Sequence, residues 1–264
     1  MKFDFKELKF KLIFECIGGS RLYGCSTENS DVDIRGVFIP SAEYFLGFMK
    51  RIKLLEDKVE DRVYYDIRKF LKMACDSNPN ILELLFIPRK NWIEFTPEWE
   101  WIIEKRNYFL SKKAIYTFSG YAHSQLKKIS NHRRWLFGAK PANRKELLAY
   151  NHWQEHRNPE RKKMEEIYGF DLKHASHLYR LTTEGAELIT TGFITFPRPD
   201  VDIILKIRNG DYKYEEVLEM VGDIDKKFEE LSKISKLPHK PDRNMIDEIC
   251  VGLVMDCITE DKNV

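Results

Sequence analysis

Apolar residues in the first ninety positions fall in short runs separated by turn residues; beyond them they recur at helical spacing. Residues 9–17 form an apolar-rich run that predicts a strand. Residues 20–25 read as a short helix opening after two glycines. Residues 31–38 read as a second strand, stopped by Pro40. Val63 and Tyr65 alternate against Tyr64, which predicts a third strand over 61–65. Ile67, Phe70, Leu71 and Ala74 then share one side of a helix over 67–75. Asn78-Pro79 ends it, and a short apolar run over 81–86 precedes Pro88. From residue 96 the strand signals fade. Thr96-Pro97 opens a helix carrying Trp99, Trp101 and Ile102. Further helices are predicted over 111–130, 143–166, 171–190, 213–235 and 242–258. The reading is an α/β (α+β) chain: a small mixed sheet within 1–92, then an all-helical region over 93–264.

Composition narrows the classes. With 264 residues the chain can bury a substantial core as one large domain or two modest ones. Its 44 basic residues nearly cancel its 42 acidic ones, so any nucleic-acid footprint must be local. The five cysteines, Cys16, Cys25, Cys75, Cys250 and Cys257, are odd in number and form no Cys-x-x-Cys, which points to a reduced, cytoplasmic protein. No apolar run approaches the ~20 residues that span a membrane. Met-Lys-Phe-Asp-Phe-Lys-Glu at the start has no signal-peptide core. Internal repeats and low-complexity segments are absent.

The chemistry concentrates in residues 17–40. Gly18-Gly19-Ser20 follows the first apolar run, and Asp31-Val32-Asp33 opens the next. Two glycines permit a tight turn and close backbone approach to a phosphate, and Ser20 opens a helix whose N–H groups favour anions. Along a strand Asp31 and Asp33 face the same side. Two carboxylates so close call for a cation, and a hard cation such as Mg²⁺ shares oxygen ligands with substrate phosphates. An Asp-x-Asp alone is ordinarily just solvated. The chain carries its own control in Asp200-Val201-Asp202, which lacks a Gly-Ser turn and reads as helix N-cap and first-turn carboxylates. The coupling of turn and aspartates carries the inference.

That coupling, Gly-Gly-Ser followed by Ser-Asp-Val-Asp, resembles the signature of the polymerase-β-like nucleotidyltransferase superfamily. The longer string Gly-Ser-Arg-Leu-Tyr-Gly and Ser-Asp-Val-Asp-Ile-Arg-Gly-Val is similar to a bacterial and phage branch associated with RNA repair. So are Tyr-Asp-Ile-Arg-Lys-Phe-Leu, Asn-Pro-Asn-Ile-Leu-Glu-Leu-Leu, Lys-His-Ala-Ser-His-Leu-Tyr-Arg-Leu and Ile-Arg-Asn-Gly-Asp-Tyr. The resemblance covers most of 14–240, with only the first motif chemically diagnostic. It implies a nucleotidyltransferase core in 1–92 and an accessory, substrate-binding helical region in 93–264. It also implies transfer of an NMP from an NTP by a two-metal mechanism, with two Mg²⁺ ions, or Mn²⁺ in their place, held by three carboxylates. Asp31 and Asp33 match the first two. Asp66 is the choice for the third and Asp61 the fallback; a helix N-cap explains Asp66 nearly as well. Gly18, Gly19 and Ser20 match the phosphate turn. Arg21 suits a phosphate or an ordinary surface pair. Arg35 receives no role.

In the helical half, Lys173, His177, Arg180 and Glu184 share one face. The first three are candidates for a triphosphate or acceptor phosphate, against a solvated face with an Arg180–Glu184 pair. His152 and His156 have zinc-like spacing without a third ligand and read as ordinary histidines. Between His123 and Lys163 eleven Lys and Arg face only three Glu, with Trp135, Phe137, Tyr150 and Trp153 interleaved. That segment suits RNA or tRNA contact, or else a helical hairpin with core aromatics and solvated charge. The expected activity is NMP transfer to an RNA or tRNA hydroxyl in RNA repair. Its rivals are nucleotidylation of a protein or small molecule, and an inactive RNA-binding module.

Overall fold

The computed structural model describes residues 3, 5, 8–28, 30–48 and 52–261. Much of the N-terminal heptapeptide read for a targeting signal lies outside them. The chain forms two compact units: 1–114 with 192–199 and 236–264, and 115–191 with 200–235. The expected boundary at 92/93 divides the chain by role and falls inside the first unit.

The first unit is built on β1 (Lys11–Ile17), β2 (Ile34–Ile39), β3 (Leu54–Asp57), β4 (Arg62–Asp66) and β5 (Trp92–Phe95). Their order is β3-β4-β2-β1-β5. β2 and β4 run parallel and the other pairs antiparallel, a mixed sheet as expected. The helices are α1 (Gly19–Tyr23), α2 (Ala42–Leu46), α3 (Ile67–Cys75), α4 (Pro79–Leu82) and α5 (Pro97–Glu104), with α12 (Arg243–Asp261) closing the unit. β3, β5 and α2 were not visible in the sequence. β3 and β5 are four-residue sheet edges, too short for an alternation to stand out.

Side-chain alternation gives the sheet two apolar faces. On one, Phe10, Ile34, Phe38 and Tyr64 are buried, with Phe3 and Phe5 packed against them. On the other, Phe14 stacks on Trp99 of α5 with centroids 3.9 Å apart, and Phe70 of α3 lies 5.5 Å from the same indole. Each fully buried aromatic here contributes about 2–3 kcal/mol. Gly36 in β2 is a close-approach position: an added Cβ would lie 2.5 Å from the Tyr64 ring and 2.6 Å from the Phe14 carbonyl. Across it the Tyr64 hydroxyl donates to Glu15 at 2.5 Å. Burial and then Glu15 push the phenol up to about 12.

The second unit holds most of α6 (Lys113–Leu136), then α7 (Arg144–His156), α8 (Pro159–Tyr168), α9 (Leu172–Thr191), α10 (Val201–Asn209) and α11 (Tyr214–Ile234). The single helix expected over 143–166 is two. Pro159 has no N–H and biases Asn158 away from helix, and the Asn158 side chain instead accepts from Glu160 N at 2.8 Å as an N-cap. Asp200 sits at the N-cap position of α10 and Asp202 in its first turn, as the control reading required. No helix among the described residues is long and apolar enough to cross a membrane.

Candidate active site

β1 ends at Ile17, opposite Ile34 of β2. The last rung is the Gly18 N–H donating to the Asp33 carbonyl at 2.8 Å. Gly18 is then the N-cap of α1 and Gly19 its first residue, at φ +60°. On the other side β4 begins only at Arg62, opposite Ile34, while Ile34 N donates to the Asp61 carbonyl at 3.0 Å. The ladder therefore runs out on both sides at residue 34. Asp31 and Asp33 stand in the loop before β2, not on it, which corrects the expected start at 31. Asp31 is exposed and Asp33 half-buried.

The coupling read from sequence is physical contact. A Cβ on Gly19 would fall 1.8 Å from Asp33 Oδ2 and 2.3 Å from Cγ, so the carboxylate rests directly on the glycine. The left-handed backbone there independently favours glycine. Asp33 Oδ1 meanwhile accepts from Arg35 Nη2 at 3.1 Å. Arg35 Nη1 donates to Asp61 Oδ1 at 3.0 Å, to the Asp61 carbonyl at 2.8 Å and to the Ile34 carbonyl at 2.9 Å. One guanidinium thus joins Asp33 and Asp61. Asp61 closes the β3–β4 turn at φ +44°, a conformation aspartate tolerates. Arg35 was missed because it was read as lying beyond the motif. Its position two residues after Asp33, on the same side of an extended chain, was the available signal.

Asp66 is elsewhere. It pairs opposite Phe38, at the far end of β2 from Asp33, and points to the face opposite Arg35. It is 2% exposed, accepts from Arg68 N at 3.3 Å as the N-cap of α3, and lies 3.7 Å from Arg68 Nε. Burial raises its carboxyl above the usual range. The structure therefore brings Asp61, and not Asp66, to Asp33.

Around the turn, Arg21 Nη2 donates to the Ser30 carbonyl at 3.0 Å, while Ser30 Oγ accepts from Thr27 N at 2.8 Å. Arg21 so braces the loop that delivers Asp31. Leu22 is buried, and the Tyr23 hydroxyl donates to the buried Glu83 at 2.7 Å. This fixes α1, including Ser20, to the Asn-Pro-Asn-Ile-Leu-Glu segment and explains why those two stretches belong together.

In the second unit, α9 is capped by Asp171, whose Oδ1 accepts from His174 N at 2.9 Å. Lys173 is exposed. Arg180 is buried and donates to both Glu184 oxygens at 2.8 and 2.7 Å, and His177 Nδ1 lies 2.9 Å from Arg180 Nη2. Burial first, and Arg180 next, lower the His177 pKa to about 3, so it offers a neutral imidazole at physiological pH. The helix face is basic and open only at Lys173. Trp135 and Trp153 are core residues at 5% and 8% exposure, so they are not stacking platforms. Among the eleven basic residues, Arg133, Arg134, Arg157 and Arg161 pair with Glu215, Glu146, Glu165 and Asp171. Lys127, Lys128, Lys140, Arg144, Lys145, Lys162 and Lys163 are exposed. His152 and His156 are exposed, their rings stacked 4.4 Å apart.

Residues 4–252 match the family model described as RlaP, RNA repair pathway DNA polymerase beta family. The chain belongs to this family. The family's description names an RNA repair pathway and the DNA polymerase beta family. Two curated relatives carry no function in their names. One is an uncharacterized 38.9 kDa protein of the nrdC-mobD intergenic region of Enterobacteria phage T4, 28% identical over 131 residues, 45% of this chain and 38% of that protein. The other is the uncharacterized protein YcgL of Bacillus subtilis (strain 168), 28% identical over 78 residues, 28% of this chain and 30% of that protein. The matched segments thus span about a third of those relatives' lengths. No solved structure matches.

Proposed function

We propose that this RlaP-family chain is a divalent-metal-dependent nucleotidyltransferase that moves an NMP from an NTP to an RNA hydroxyl. The observation that carries this reading is the Asp33 carboxylate seated on Gly19, which puts a charged oxygen against the phosphate turn. The donor set suits Mg²⁺ or Mn²⁺: Asp31, Asp33 and Asp61 offer only hard oxygens, and the space between Asp33 and Asp61 already accommodates a positive group. Among the described residues no three His, Cys, Asp or Glu side chains converge as a ready metal cluster. Mg²⁺ is usually bound through one or two carboxylates and the substrate's phosphates, so the proposed site is completed by the NTP. When bound, such an ion neutralises the phosphates and acidifies the acceptor hydroxyl.

The chain's own residues do the positioning. The Gly18-Gly19-Ser20 backbone receives the β- and γ-phosphates, with Arg21 holding the loop that brings Asp31 alongside. The acceptor oxygen bonds to the α-phosphorus, the α–β anhydride bond breaks and pyrophosphate leaves. Asp61 takes the proton of the attacking hydroxyl. It replaces Asp66 in the third position because Arg35 already links it to Asp33. The exposed lysines of 127–163 supply RNA backbone contact.

The test is labelled NTP, Mg²⁺ and an RNA pool, with native chain and an Asp31→Ala, Asp33→Ala double variant. The variant must lose transfer by at least about a hundredfold. Undiminished labelling overturns the mechanism, and labelling of protein or small molecules without RNA overturns the acceptor.

A further inference from the structure

Arg35 is an unusual neighbour for carboxylates that are to hold a divalent cation. Its guanidinium makes four hydrogen bonds at 2.8–3.1 Å, two to carboxylate oxygens on different segments and two to backbone carbonyls. The carbonyl bonds, to Ile34 and Asp61, come from the same Nη1 that donates to Asp61 Oδ1 and add two backbone anchors to the side chain. Its stem passes Gly18, whose added Cβ would lie 3.6 Å from Arg35 Cγ. Arg35 is 25% exposed and Asp33 22%, so that contact is partly shielded from water, whereas Asp61 is 49% exposed and more open to an incoming ion.

We propose that Arg35 is the resident counter-ion of the Asp33–Asp61 pair, and that a divalent cation binds there by displacing the guanidinium from the two Oδ1 atoms. This rests on the nucleotidyltransferase reading and adds a determinant of cation affinity to it. The physical case is charge and space. Two carboxylates held on one guanidinium are neutralised and preorganised without metal, which offsets their repulsion during folding. A cation approaching the same oxygens meets a fixed positive charge and must release it. The carbonyl anchors let Arg35 swing off the carboxylates while keeping a place on the β2–β4 edge. Arg35 is thus a positioning residue whose removal tightens cation binding, whereas removal of a metal ligand weakens it.

The experiment is direct Mn²⁺ binding, read by paramagnetic resonance of the free ion without nucleotide, for native chain, Arg35→Gln and Asp33→Asn. We expect Arg35→Gln to bind Mn²⁺ about tenfold more tightly than native. It should also melt lower than native without metal and recover most of that loss on adding Mn²⁺. Asp33→Asn should bind more weakly than native. Should Arg35→Gln not fold, as judged by circular dichroism, Arg35→Lys decides. An ammonium reaches one of the two carboxylates at a time, so that variant must also bind more tightly than native. Equal or weaker binding by the folded arginine variant overturns the counter-ion role and leaves the transferase reading intact. Absence of nucleotide-free Mn²⁺ binding to every form overturns the counter-ion role, while the transferase reading stands or falls on the NTP-labelling assay.

Discussion

At the scale of single residues the site is decided by Gly19, Asp33, Arg35 and Asp61. Gly19→Ala must move either the backbone from φ +60° or the Asp33 carboxylate from its seat. We expect a stability loss of about 1–3 kcal/mol and at least about a hundredfold loss of nucleotide transfer, measured by thermal melting and by a transfer assay. An alanine variant with native transfer would show that the contact is incidental. The third carboxylate separates as cleanly. Asp61→Asn keeps a residue that tolerates the left-handed backbone, so its effect is chemical: transfer should fall by about a hundredfold or more. Asp66→Asn should cost less than about tenfold, since Asp66 lies at the other end of the strand pair. Its folded carboxyl has a raised pKa, so the folded state holds its proton more firmly and stability falls as pH climbs from the unfolded value near 3.8 through the folded one. Removing that charge should leave the melting temperature at pH 7 unchanged or higher.

At this scale the sequence anticipated the contact between Gly19 and Asp33. Gly19, Asp31 and Asp33 announce themselves by type and spacing. The choice between Asp61 and Asp66 did not, because it depends on strand register: one parallel pairing, Ile34 opposite Arg62, carries Asp61 to the site and Asp66 away from it. Sequence pattern assigns a strand without fixing its partner.

At the scale of elements, patterning located α3 residue for residue and the mixed sheet in outline, because buried faces impose their period on the sequence. It joined α7 to α8 across Asn158-Pro159, where helical spacing persists on either side of a break that only the missing proline N–H explains. It gave no hint of Asp76 as a junction. Asp76 follows α3 and accepts from Lys72 and Lys113 at 2.8 Å and from Arg243 at 2.9 Å, tying α3 to the starts of α6 and α12. Lys113 first, then Lys72, hold its carboxyl well below the usual range. A depressed folded pKa contributes stability above the unfolded value near 3.8 and loses it as pH falls toward the folded one. Asp76 is 35% exposed, so solvent screening limits the contribution to about 1 kcal/mol. Asp76→Asn should therefore lower the melting temperature by a few degrees at pH 7, with the gap to native closing below about pH 3. A gap that is constant with pH would contradict the ion-pair account.

At the scale of the whole molecule, long-range assembly was the least legible. The segments 192–199 and 236–264 return to the sheet-bearing unit, which nothing in their local pattern announces. Helical periodicity marks a buried face without naming the element that covers it. The same limit applied to the aromatics of the basic region: Trp135 and Trp153 turned inward while their lysine neighbours stayed exposed. Under the proposed function, RNA contact there rests mainly on the exposed lysines, with Phe137 the exposed aromatic beside them. Lys162→Glu with Lys163→Glu should weaken single-stranded RNA binding and flatten the log–log salt dependence by about 1–2. Binding unchanged in affinity and slope would remove this surface from the acceptor path.

The central claim is NMP transfer at the Gly19–Asp33 contact, and the position of the label decides it. Native chain is incubated with RNA and each NTP, labelled in parallel at the α- and at the γ-phosphate, beside Asp33→Asn. The account predicts that the α-label enters RNA, that the γ-label leaves as pyrophosphate, and that Asp33→Asn does neither. Entry of the γ-label into RNA, or α-labelling that survives in Asp33→Asn, would contradict it.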